Sequence, residues 1–139
     1  MSRPEDIPEY LPGGSGGVWR VGRTVRRPTG PWTPAVHDYL KWLSQAGLGG
    51  IPHVGGIDED GREIVSYIEG RSVPVDDEIV LDNVLVEAVT WLRDFHDIAD
   101  SYQPDGPQVW RQSAGEPVEL AAGEVICHND PGAYNWIIQ

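Results

Sequence analysis

The sequence predicts an α+β fold, an antiparallel sheet carrying one helix and followed by a second helical segment, and three observations point there. Residues 18–27 and 51–68 each read as two strands about a tight turn. A helical pattern at 33–46 lies between them. The longest apolar periodicity, at helical spacing, runs from about residue 81 to Asp100.

Taken in order, residues 1–12 are Pro-rich and read as a lead-in with one short strand near Tyr10. The run Gly13-Gly14-Ser15-Gly16-Gly17 either turns freely or brings backbone N–H groups close to phosphate oxygens with no side chain in the way. Val18–Val21, Gly22-Arg23 and Thr24–Arg27 make a hairpin with a two-residue turn. Strand alternation puts Thr24 and Arg26 on one face and Arg27 on the other. Arg26 then either points under the glycine run at phosphates or sits solvated on an edge.

Thr33-Pro34 is a helix start, with Thr33 as cap and proline in the first turn. Val36, Leu40 and Leu43 follow at helical spacing and Gly47 closes the helix. Ile51–Ile57 and Glu63–Ile68 flank the acidic turn Asp58-Glu59-Asp60-Gly61. Past a polar linker to about Asp77, Val84, Ala88, Trp91, Leu92 and Phe95 share one side of the long helix. Leu81, Leu85 and Val89 widen its apolar surface, so cover from more than one direction is expected. Residues 101–123 read as an irregular connection anchored by Trp110.

Composition bounds the function. The chain has 139 residues, the length of one domain, with hydrophobic and charged fractions of 40% and 23% that suit a soluble globular protein. A net charge of −12 argues against nucleic acid and anionic membranes, whose phosphates need a basic face. It is compatible with a cationic substrate or with a solvated acidic surface. The lone Cys127, beside Val125 and Ile126, forms no internal disulfide and reads as a buried structural thiol in a reducing cytoplasm. No run is apolar enough for a membrane span or signal peptide.

The stretch Ile126 to Asn135 carries the chemistry. Pro131 holds Asp130 extended and Gly132 permits a sharp turn, so a polar loop joins two short apolar runs that read as buried strands. His128, Asp130 and Asn135 have the spacing His-x-Asp-x-x-x-x-Asn of a phosphoryl-transfer catalytic loop. In that chemistry Asp130 takes the proton of the attacking hydroxyl, Asn135 ligates Mg²⁺ through its amide oxygen, and His128 braces the loop. An ordinary polar turn is the alternative.

Together these residues resemble the aminoglycoside phosphotransferase family, which has a protein-kinase-like fold. The resemblance runs through the glycine run, Thr24 to Pro28, Ser66 to Gly70, Leu92 to Asp97, and Ile126 to Asn135. It implies an N-terminal nucleotide-binding lobe over residues 1–70. Residues 71–139 would be the start of a helical C-terminal lobe including the catalytic loop. It implies ATP and Mg²⁺ as cofactors. Gly14, Ser15, Gly16, Gly17 and Arg26 would lie at the phosphates, and the backbone near Tyr67 and Ile68 at adenine. The acceptor would be a hydroxyl of a small molecule, with a cationic one compatible.

Three departures accompany it. Arg26 stands where the family commonly has Lys. Residues 34–46 contain no Glu to pair with it, which leaves His37 or Asp38. The family's aliphatic-Asp-aromatic-acid motif, which bridges Mg²⁺ to ATP, does not occur after the loop. The expectation is therefore a phosphotransferase fragment with little activity, whose exposed long helix makes it associate. The alternatives are a degenerate, non-catalytic kinase-like module that binds nucleotide or a partner, and a metal-dependent hydrolase using His128 and Asp130 with His96 or His53.

Overall fold

The hairpin at 18–27 forms where its turn residues place it. A computed structural model describes residues 7–13, 16–72, 82–127 and 135–139. In it β1 (Glu9–Leu11), β2 (Val18–Val21) and β3 (Thr24–Arg27) are consecutive antiparallel strands. Gly22 has φ 60° and Arg23 has no positive φ, the φ pattern of a type II′ turn, whose twist suits a two-residue hairpin. The next two strands, β4 (Val54–Ile57) and β5 (Glu63–Ser66), complete a five-stranded sheet of order β1-β2-β3-β5-β4. Both are shorter than the sequence predicts, and β4 is broken by a bulge between Val54 and Gly56. A Cβ on Gly55 would come 2.8 Å from Ile64 Cγ2, so the bulge needs glycine there.

Helix α1 (Thr33–Gln45) has proline in its first turn as expected, but Thr33 is not the cap. Trp32 holds that position, while the Thr33 hydroxyl accepts a hydrogen bond from the Gly30 N–H at 3.0 Å. The C-terminus closes as a Schellman turn. The Leu48 N–H donates to Leu43 O and the Gly47 N–H to Ser44 O, with Gly47 at φ 94°.

The buried residues of α1 are Thr33, Ala35, His37, Tyr39 and Leu43, rather than a face centred on Val36 and Leu40. The shift has a cause far along the chain. The Trp110 ring meets Tyr39 edge-on at 5.8 Å, and Trp42 stacks on Tyr39 from within the helix. Trp110 lies between β7 (Gln108–Val109) and a 3-10 turn at Arg111–Ser113, after which β8 (Pro117–Val118) pairs back with β7. Residues 101–123, expected to be irregular, thus contain a small ordered hairpin.

The chain divides into two compact units. The first is residues 1–67 with 106–119, and its core includes Val25, Val65, Tyr39, Leu43 and Leu48. The second is residues 68–105 with 120–139. In the second, β6 (Arg71–Ser72) pairs antiparallel with β9 (Ile137–Ile138). Gly70 permits the close approach, since a Cβ there would land on the Ile138 carbonyl.

Helix α2 (Asp82–Ala99) buries Phe95 and Ala99. Trp91 stacks on Phe95 at 5.5 Å and takes the edge of Trp136 at 5.6 Å. Of the residues expected to widen its apolar surface, Leu85 and Val89 are 53% and 56% exposed, and Leu81 lies outside the described residues. No helix among the described residues is long and apolar enough to cross a membrane.

Two expectations about the last segment are corrected. Residues 125–127 form no strand, and Val125 and Cys127 are exposed, so the thiol is not part of a core. Of the two apolar runs, the second alone becomes a strand among the described residues, and its partner is Arg71–Ser72.

Candidate functional site

Sheet register creates the most buried ionic group of the first unit. Arg27 stands directly across from Glu63 in the β3–β5 pair, so both side chains leave the same face. That face carries α1. The Arg27 Nε donates to Glu63 Oε1 at 2.7 Å, and His37 Nε2 lies 2.8 Å from Glu63 Oε2. The Glu63 and His37 side chains are each 10% exposed, whereas Arg27 keeps 37%. One carboxylate therefore joins two strands and the helix, each of its oxygens committed.

The opposite face holds Arg26. Its Nη1 donates to Thr24 Oγ1, and its Nε lies 3.4 Å from Asp58 Oδ2. Thr24 and Arg26 thus share a face, as alternation requires, and Asp58 is a partner that sequence spacing did not suggest. Asp58 organises the acidic turn. Its Oδ1 accepts from the Asp60 and Arg62 N–H groups at 3.0 and 2.8 Å, and its Oδ2 from Arg62 Nε at 3.0 Å. Burial pushes the Asp58 carboxyl pKa up, but the hydrogen bonds and charge of Arg62 and the Asp60 N–H outweigh it, leaving the pKa below its ordinary 3.8.

The remaining candidate residues are placed as follows. Gly16 and Gly17 adopt φ 62° and 66°, and the Gly16 N–H donates to Gly13 O, so this end of the glycine run is a left-handed turn. Tyr67 gives its backbone N–H to Arg23 O, and the Arg20 guanidinium lies 3.8 Å over its ring. Ile68, half-buried, opens the second unit. Asn135 is exposed. Gly14, Ser15, His128 and Asp130 lie outside the described residues.

His53 and His96, suggested as metal ligands, are both exposed. Among the described residues no group of three or more His, Cys, Asp or Glu is placed to hold a metal. The expected alternative of His37 or Asp38 partnering Arg26 is corrected by the register: His37 meets Glu63, and the arginine on that carboxylate is Arg27. Glu63 was missed because nothing local distinguishes it. Only its position across from Arg27 does.

No family model matches the chain. No solved structure matches it. Among curated proteins it is similar to a trifolitoxin immunity protein of Rhizobium leguminosarum bv. trifolii, with 36% identity over 129 residues. The alignment covers 88% of this chain and 47% of that protein, so the chain spans about half the length of the relative it matches.

This likeness overturns the resemblance to aminoglycoside phosphotransferases and the ATP-dependent phosphate transfer inferred from it, together with the kinase-like module kept as its alternative. The relative that aligns with most of the chain is named for toxin immunity, and no kinase or phosphotransferase family model matches. The physical reason for the error lies in the motif. Three residue types at fixed spacing specify a polar loop, and many loops satisfy that without managing a phosphate.

Proposed function

We propose that the chain acts in immunity, protecting the cell that carries it from a toxin. The observation that supports this is the alignment to the trifolitoxin immunity protein, which takes in 88% of the chain and so draws on both compact units. Protection should then follow the amount of folded chain.

The test is expression of the 139-residue chain in a bacterium sensitive to trifolitoxin, with growth inhibition scored across a range of induction. Protection should rise with expression, and Glu63→Ala should lose it in step with the folded fraction. Unchanged sensitivity in cells that hold the folded chain at high level would refute the proposal.

A further inference from the structure

We draw no further inference here: the strongest candidate, the exposed apolar patch of Leu85, Val86 and Val89 on α2, rests on exposure alone, and nothing in the structure shows what covers it.

Discussion

Glu63→Ala tests whether one buried carboxylate holds α1 to the sheet. The substitution removes both acceptor oxygens and leaves two donors behind. His37, with a side chain 10% exposed, has no ready access to water, and stranding it costs about 1–3 kcal/mol. Arg27 is 37% exposed and can turn outward, so its lost bond counts only as a surface pair, about 0–1 kcal/mol. The lost side-chain methylene adds somewhat under about 1 kcal/mol. The expected loss is therefore about 2–4 kcal/mol, a large share of the roughly 5–15 kcal/mol available to a domain. At this chain length it lowers Tm by about 6–12 °C.

Urea unfolding followed by far-UV circular dichroism measures this, and a double-mutant cycle with His37→Ala isolates the pair. Coupling above about 1 kcal/mol is expected for a buried charge-assisted contact. A loss below about 1 kcal/mol with coupling near zero would refute the claim that Glu63 joins helix and sheet.

Asp58→Asn should produce a stability deficit that depends on pH. Because the folded carboxyl titrates below 3.8, the parent's advantage is fully present above that value and disappears as pH falls through the lower folded pKa. Urea midpoints of both proteins from pH 7 to pH 2.5 should therefore converge only at the acid end, and a constant gap would be the wrong result. Gly55→Ala should destabilise by about 1–3 kcal/mol through overlap with Ile64 Cγ2, and Ile64→Leu, which lacks that atom, should recover part of it in thermal melts. Gly70→Ala should cost a similar ~1–3 kcal/mol, because φ 143° and the nearby Ile138 carbonyl both exclude a Cβ. Amide exchange at Ile137 and Ile138 should then speed up, and unchanged protection there would argue against the β6–β9 pairing.

The misreading of function also follows from what a sequence can carry. His128, Asp130 and Asn135 were singled out by spacing, which constrains a local loop and says nothing of what lies across from it. Strand alternation left Arg26 either under the glycine run or solvated on an edge, and it did place Arg26 on one face with Thr24. It could not reveal Asp58, 32 positions away, lying 3.4 Å from its Nε. Glu63 drew no notice because its meaning depends on Arg27 and His37, which are 36 and 26 positions distant.

What the amino-acid order determined alone is the set of short-range events. Gly22-Arg23 turns the first hairpin, Pro34 opens α1, Gly47 closes it through a left-handed residue, and Asp58 with Gly61 shapes the acidic turn. Each depends on φ preferences and hydrogen bonds within about five residues, so each is written where it acts. Tertiary structure alone decided that 106–119 belongs with the first unit, that Trp110 meets Tyr39, and that Ile137–Ile138 pairs with Arg71–Ser72. It also decided which arginine meets Glu63. Those outcomes depend on register and on which apolar surfaces find each other across long loops. A period of 2 or 3.6 marks which side of an element is apolar but carries no information about its partner.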